Sequence, residues 1–170
     1  MATLIHLAQQ NQVVKLEAAL SWREQEDRQI YVFPHVRHWM EDSLPNEASN
    51  WNLELSPLEQ LDNFLSNYCS GRELMFERQF RPIRHIKDGI WELKTADVRL
   101  FGWFKAQDCF VCTDGNTAFN VKEHGLYWGY AEAAAQRRNH LDLDGPKFVP
   151  GDDPNDVISA FSYPPQASGG

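Results

Sequence analysis

The sequence predicts an α+β protein, in which an antiparallel β-sheet of four to five strands packs against an N-terminal helical hairpin and a C-terminal helix. Three observations favour this class. Residues 87–119 form short segments rich in β-branched and aromatic residues, separated by polar turns, as in an antiparallel meander. Residues 56–70 open with a helix-start signal, and residues 126–140 carry apolar side chains at helical spacing.

The composition fits one domain with extensions. The chain has 170 residues, of which 42 % are hydrophobic and 12 % aromatic, enough for a core. No run of about eighteen apolar residues occurs and no basic leader precedes a long apolar stretch, so we expect a cytoplasmic protein with no membrane partner. The three cysteines are few and odd in number, which suits a reducing compartment.

The charge is unevenly distributed along the chain. The formal net charge of −8 argues against a general affinity for nucleic acids. Residues 1–70 carry a net charge of −6 and residues 148–170 a net charge of −3, whereas residues 71–147 carry +1. The predicted sheet therefore lies in the least acidic part of the chain.

The chain divides into three predicted parts. These are an N-terminal helical extension (1–28), an α+β domain (29–144) and an irregular C-terminal tail (145–170). In the extension, Val13, Leu16 and Leu20 give a rough helical stripe within residues 3–26. The tail is rich in proline, glycine and aspartate, which is typical of irregular structure.

The domain begins with a strand and two helices. Residues 29–33 read QIYVF, and Pro34 ends this strand candidate because proline has no N–H to donate to a ladder. A short helix over about 35–44 follows. The second helix starts at Ser56-Pro57-Leu58-Glu59, which has a capping box and a proline at the first helical position, and it ends at Gly71.

Three strands follow, and the central one carries an arginine. They are predicted at Ile90–Lys94, Val98–Phe104 and Cys109–Thr113, with residues 116–121 as a fourth strand or an extended loop. Because side chains alternate along a strand, Arg99 points to the same side as Phe101 and Trp103. One face of the sheet is thus suited to packing on helices, and the other is aromatic and carries a guanidinium.

The amino-acid sequence of these strands resembles that of a known family. Asp88–Lys94 followed by Val98–Phe101 resembles the "gl(W/Y)EL(R/K)…yRi(F/L)y" stretch of the RelE/HigB toxin superfamily, with the phage-derived Gp49-like branch most similar, and Lys122–Arg138 is similar to the ending of that branch. The resemblance covers about residues 29–144. It implies a RelE-like fold and a toxin of a toxin–antitoxin module, expected to act as a ribosome-dependent mRNA endonuclease that inhibits translation. Its implied partners are a cognate antitoxin protein, the ribosome and mRNA.

The resemblance also implies site residues. Arg99 matches the sheet arginine that binds phosphate, and Lys94, Lys122 and either Tyr127 or Tyr130 match other family positions. His124 has no family counterpart, but a histidine can serve as acid or base near pH 7. The candidate catalytic residues are Arg99, Lys122, His124 and Tyr127, and the candidate substrate-binding residues are Arg81, Arg84, Lys94 and Trp103. Cleavage of RNA by its own 2′-hydroxyl requires a base, cations and an acid, so no metal or cofactor is expected.

Other readings of the same residues stay open. Arg99 can instead pair with Glu92 or Asp97 across the hairpin. Cys109 and Cys112 have the spacing of a metal or redox pair, yet three residues apart in a strand they point to opposite faces. The alternative function is a non-catalytic protein on the same scaffold, either a gyrase inhibitor or a phage-derived interaction protein. A nuclease is expected to gather its cations on one concave face, and an interaction protein to scatter them.

Overall fold

The computed structural model describes residues 1–166 and has an α+β fold. The helices are α1 (Leu4–Gln9), α2 (Pro34–His38), α3 (Pro57–Cys69), α4 (Ala118–Glu123), α5 (Tyr127–His140) and α6 (Pro154–Val157). The strands are β1 (Val14–Lys15), β2 (Gln29–Val32), β3 (Leu74–Met75), β4 (Phe80–Pro82), β5 (Trp91–Lys94), β6 (Val98–Ala106), β7 (Cys109–Thr117) and β8 (Phe161–Ser162).

Within these described residues, the main sheet has six strands in the order β1-β2-β7-β6-β5-β4. Its pairings are antiparallel except that β2 and β7 run parallel. The predicted α+β class is confirmed. The sheet is larger than the predicted four to five strands because the short strands β1 and β4 extend its two edges. Strands of two or three residues show too little periodicity to be recognised in a sequence.

Both faces of the sheet are covered by helices. One face packs against α2 and α3, in a core that includes Ile30, Leu61 and Leu100. The other packs against α1 and α5, in a core that includes Leu7 and Phe101. The aromatic face predicted for β6 is therefore largely buried, and only its end at the β5–β6 turn comes near a surface cleft.

The N-terminal extension is mostly not helical. Helix α1 ends at Gln9, and Asn11 follows with a φ of 60°, in the left-handed region that a helix cannot continue through. In the stripe expected to lie on one helix, Val13 instead precedes strand β1, which pairs with β2, and Leu16 and Leu20 follow that strand in an irregular segment. Long-range strand pairing thus overrides a weak local helical pattern.

The stronger helix signals are confirmed. The hydroxyl of Ser56 accepts from the backbone N–H of Glu59 at 3.2 Å, and the Glu59 carboxylate accepts from the N–H of Ser56 at 3.2 Å, which is the predicted capping box. The helix predicted over 126–140 is present as α5. Helix α2 continues as a π-helix and a short 3₁₀ turn as far as Asn46.

The third strand of the meander is longer than predicted. Strand β7 runs on to Thr117, whose hydroxyl accepts from the N–H of Asn120 at 3.2 Å and caps helix α4. The fourth strand or extended loop predicted over 116–121 is therefore the end of β7 and the start of this helix. Thr117 is an N-cap that the sequence does not distinguish, because threonine is also common in strands.

The C-terminal tail is folded against the domain over its described part. Strand β8 pairs in parallel with β3, and Val157 and Ile158 are buried in the core. The predicted irregular tail is thus an ordered strap as far as residue 166, and residues 167–170 of that prediction lie outside the described residues. Across residues 1–166, every helix is too short or too polar to cross a bilayer.

Candidate functional site

A cleft opens between helix α3, the turn joining β3 to β4, and the β5–β6 hairpin. It has a volume of about 500 Å³. Its charged lining residues, within the part of the chain that the structure describes, are all cationic: Arg78, Lys94 and Arg99. Side-chain amides add further hydrogen-bonding groups, from Gln60, Asn63, Asn67 and Gln79. A hollow of this composition is suited to an anion.

Arg99 is the most unusual residue of the cleft. It lies opposite Lys94 in the β5–β6 register and is only 5 % exposed. Its guanidinium donates to the backbone carbonyls of Thr95 and, at 3.0 Å, of Val98. Among residues 1–166, no carboxylate oxygen lies within 4.0 Å of the guanidinium, and its Nε has no hydrogen-bond partner. Burying a charge without a counter-ion costs free energy, which a bound anion would recover.

The two carboxylates that the sequence offered as partners for Arg99 are engaged elsewhere. Glu92 is fully buried and pairs with Arg81 of β4. Asp97 accepts hydrogen bonds from the hydroxyl of Ser49 at 2.6 Å and the amide of Gln60 at 2.6 Å. The cross-hairpin ion pair is therefore not formed, and Arg99 lies beside the cleft without a carboxylate partner among the described residues.

Lys94 extends the positive surface next to Arg99. Its ammonium donates to the backbone carbonyl of Glu77 at 3.3 Å, and its side chain lines the cleft. Burial lowers the pKa of Lys94, and the positive charges of Arg81, Arg99 and Lys122 lower it further, against the opposite effect of Glu92. A nuclease is expected to gather Arg81, Arg84, Lys94, Arg99 and Lys122 on one concave face, yet only Lys94 and Arg99 of these line the cleft, and the other three line separate hollows.

Arg81 differs from the other cations because it is neutralised. Its Nε pairs with Glu92, and its guanidinium lies over the ring of Tyr127 at 5.6 Å. The ring of Tyr127 in turn packs edge-on against Phe101, with centroids 5.8 Å apart. Tyr130 stacks on Phe101 at 4.8 Å. Both candidate tyrosines therefore help to hold α5 on the sheet. Tyr127 also lines a separate small depression beside Arg81.

Lys122 and His124 lie at the end of α4, and both are exposed. Lys122 lines a second pocket with the exposed rings of Trp51 and Phe119. The backbone N–H of His124 caps the helix by donating to Asn120 at 3.1 Å. The predicted catalytic group of Lys122, His124 and Tyr127 is thus spread over neighbouring surface features and does not converge beside Arg99.

Two more predicted substrate-binding residues lie away from the cleft, as Arg81 does. Arg84 pairs with Asp152 at 3.2 Å and Glu77 at 3.5 Å. Trp103 is fully buried and its indole N–H donates to the carbonyl of Lys147 at 3.1 Å. Alternation correctly placed Trp103 on the arginine side of β6, but at this point of the strand that side is covered by the segment after α5.

The cysteine and metal readings can be compared with the structure directly. Cys109 packs in one core and Cys112 in the other, so the two thiols point to opposite faces as predicted. Burial raises the pKa of Cys69 and of Cys109 to about 11 each. Between residues 1 and 166, no three His, Cys, Asp or Glu side chains are grouped as metal ligands.

Sequence reasoning missed the amides of α3 and the two exposed rings near Lys122. Trp51 stands in a polar, turn-rich loop, where a large aromatic residue has no core to fill, and this is a usable signal for binding. Phe119 carries no such signal, since it reads as part of a strand. In comparisons with known proteins, no family model, curated protein or solved structure matches this chain.

Proposed function

We propose that this protein is the toxin component of a toxin–antitoxin-like module, similar to the RelE/HigB superfamily, and that it acts as a ribosome-dependent mRNA endonuclease. The observation that carries the proposal is Arg99, a guanidinium 95 % buried beside an acid-free cleft, with no carboxylate partner among the described residues. The phosphate of RNA is the anion that this family would place there.

The fold supports the same proposal. The chain runs from strand β2 through helices α2 and α3 to the antiparallel strands β5, β6 and β7, and then to helix α5. This is the element order on which the resemblance was based. The overall charge of −8 does not oppose a local phosphate site, because the lining of the cleft is cationic and twelve of the sixteen Lys and Arg residues lie within residues 71–147.

The proposed chemistry needs no metal. The 2′-hydroxyl oxygen attacks the adjacent phosphorus, its proton passes to a base, and the 5′-oxygen leaves with a proton from an acid. Arg99 and Lys94 would stabilise the negative phosphorane, which is the largest electrostatic demand of the reaction. Burial also lowers the pKa of Lys94, so among the cations of the cleft it is the one that releases a proton most readily.

A second candidate is a non-catalytic interaction protein, such as a gyrase inhibitor or a phage-derived accessory protein. One observation favours it. The candidate acid–base residues His124 and Tyr127 do not lie beside Arg99, and Arg81 is neutralised by Glu92. An anion cleft without a converging acid–base pair would bind its ligand and leave it intact.

Expression in a bacterial host separates these candidates. The wild-type chain is induced alongside Arg99→Gln and a matched control, Arg37→Gln, which removes an exposed guanidinium that pairs with Glu41 at 2.8 Å. Growth and cleavage of cellular mRNA are measured, and cleavage is repeated with purified ribosomes. Thermal melting establishes that each variant is folded.

The endonuclease proposal expects growth arrest and mRNA cleavage with the wild type and with Arg37→Gln, and neither effect with folded Arg99→Gln. Growth arrest without any cleavage of mRNA would favour the interaction protein. Normal growth during abundant soluble expression of the wild type would overturn the toxin proposal.

A further inference from the structure

Two exposed aromatic rings face the same pocket beside the basic cleft. Trp51 is 63 % exposed and Phe119 is 51 % exposed, and both line a pocket of about 350 Å³. Large rings are costly to leave in water, so a pair of them at one concave site indicates a ligand with an apolar face. The volume falls within the range of about 300–1,000 Å³ that is usual for small-molecule sites.

The pocket is held by anchors from separate elements. Phe119 is carried by α4, whose N-cap is Thr117. The loop that carries Trp51 is fixed by Asp97, which accepts from the hydroxyl of Ser49 at 2.6 Å and from the N–H of Asn50 at 3.2 Å. The backbone that carries each ring is therefore fixed before any ligand arrives, which reduces the entropy lost on binding.

The pocket and the basic cleft flank the same β-turn. Asp97 lies in this turn and holds the Trp51 loop on one side. On the other side it accepts from the amide of Gln60, which lines the cleft together with Thr95 and Ala96 of the turn. A ligand that crosses the β5–β6 turn would reach the cleft and the pocket together.

The charges of the two hollows differ. The cleft is lined by cations without a carboxylate among the described residues, whereas the pocket holds one cation, Lys122, and one carboxylate, Glu123. The pocket is thus close to neutral and is a poor phosphate site. An aromatic, neutral hollow next to a cationic one matches the two parts of a nucleotide, a base and a phosphate.

We propose that Trp51 and Phe119 stack an unpaired nucleobase of a single-stranded RNA whose neighbouring phosphate lies against Arg99 and Lys94. This inference rests on the proposed function and deepens it by naming the pocket that holds a base of the RNA. The base must be unpaired and turned out of any helix, because a paired base has its faces covered by its neighbours. Stacking tolerates every base. The pocket therefore adds affinity and distinguishes a single strand from a duplex, more than it selects a base sequence.

The test uses binding of labelled oligomers to the full chain, measured by fluorescence anisotropy at one fixed salt concentration. Three probes are compared: a 2′-O-methyl RNA strand, which cannot be cleaved, the same strand annealed to its complement, and an abasic oligomer of equal length. The variants are Trp51→Ala and Phe119→Ala. Trp22→Ala is the matched control, since Trp22 is 88 % exposed and lies outside the pocket.

We expect each pocket variant to weaken binding of the single strand by roughly tenfold to a hundredfold. Binding of the abasic oligomer, which reports on the phosphate cleft alone, should be unchanged, and Trp22→Ala should match the wild type with every probe. The wild type should prefer the single strand to the duplex.

Two results would overturn the inference, and they are distinguishable. If the pocket variants bind the single strand as the wild type does while Arg99→Gln loses it, the base pocket is wrong and the RNA function stands. In that case, relief of growth arrest by Trp51→Ala would mark the rings as a surface for a protein. If the wild type binds neither the single strand nor the abasic oligomer, the inference fails, and the cleavage assay with ribosomes decides the proposed function separately.

Discussion

Gln60 and Asp97 bond to each other in both directions. The side-chain Nε2 of Gln60 donates to Oδ2 of Asp97 at 2.6 Å, and the side-chain Oε1 of Gln60 accepts from the backbone N–H of Asp97 at 2.9 Å. Both residues are buried, and together they join α3 to the β5–β6 turn. This pair is the structural link between the basic cleft and the aromatic pocket.

Asp97→Ala should destabilise the fold strongly. The change leaves the donors of Ser49, Asn50 and Gln60 without their acceptor, and each unsatisfied buried donor costs about 1–3 kcal/mol. We expect a loss of about 3 kcal/mol in the free energy of unfolding, measured by denaturant titration, because some donors will find water. Asp62→Ala, at an exposed position of α3, is the control and should stay within about 0.5 kcal/mol of the wild type.

Arg28→Lys should be as damaging although it keeps the charge. Arg28 is 1 % exposed, and its guanidinium pairs with Asp108 at 3.1 Å and donates to the carbonyls of Tyr68, Arg72 and Ala160. An ammonium cannot reproduce this fork, so we expect a loss of about 3–5 kcal/mol in unfolding free energy.

The control for Arg28 is Arg37→Lys, at the exposed pair with Glu41, where the change should be below about 0.5 kcal/mol. Equal effects at these two arginines would contradict the assignment of Arg28 as the tie between β2, α3 and the C-terminal strap.

Gly102→Ala should prevent folding, whereas Gly129→Ala should stabilise the protein. A Cβ at position 102 would lie 1.9 Å from the carbonyl oxygen of Val111 on the neighbouring strand. At position 129, in helix α5, a Cβ meets nothing within 4 Å, and alanine gains about 0.5–1 kcal/mol over glycine in a helix. Soluble yield and thermal melting check both, and a folded Gly102→Ala protein with an unchanged melting temperature would contradict the β6–β7 register.

Lys94 should make anion binding sensitive to alkaline pH. Its pKa is lowered from 10.5, chiefly by burial, and the protonated form is the one that attracts phosphate. Affinity for a 2′-O-methyl RNA strand should therefore fall as the pH rises through this lowered value, before an ordinary lysine would lose its proton.

Lys94→Arg is the matched variant for this pH effect, because a guanidinium stays protonated throughout the range. Its binding should be flat where that of the wild type declines. Lys94→Gln should instead reduce the slope of log affinity against log salt by about 0.7–1, as expected for one lost phosphate contact. An unchanged slope would remove Lys94 from the binding surface.

The elements predicted well from sequence are those with local signals. Helix α3 is capped by Ser56 and Glu59, whose capping groups lie three residues apart in the chain, and strands β5 and β6 are apolar, largely aromatic runs set between polar turns. Strands β1, β4 and β8 have two or three residues each, and they exist only because a distant partner accepts their hydrogen bonds. A short window of sequence does not contain that partner.

The same limit applies to the candidate site. Sequence alternation placed Glu92 and Lys94 on one face and left Glu92 as a possible partner of Arg99. In the structure Glu92 forms an ion pair with Arg81. This arginine is carried by strand β4, an element that the sequence did not predict. Arg99 lacks Glu92 as a partner because of the long-range pairing of β4 with β5, which a short window of sequence does not show. The arginine itself stood out in the sequence.

The parallel pairing of β2 with β7 has a consequence for how the chain is made. Strand β2 leaves the ribosome long before β7, and until then its backbone groups on that side have no neighbour. Strands β5, β6 and β7 are joined by short turns and can assemble on their own, so the N-terminal strand joins the sheet late. A nascent chain halted between these strands would present an open sheet edge, the point at which it is most exposed to aggregation.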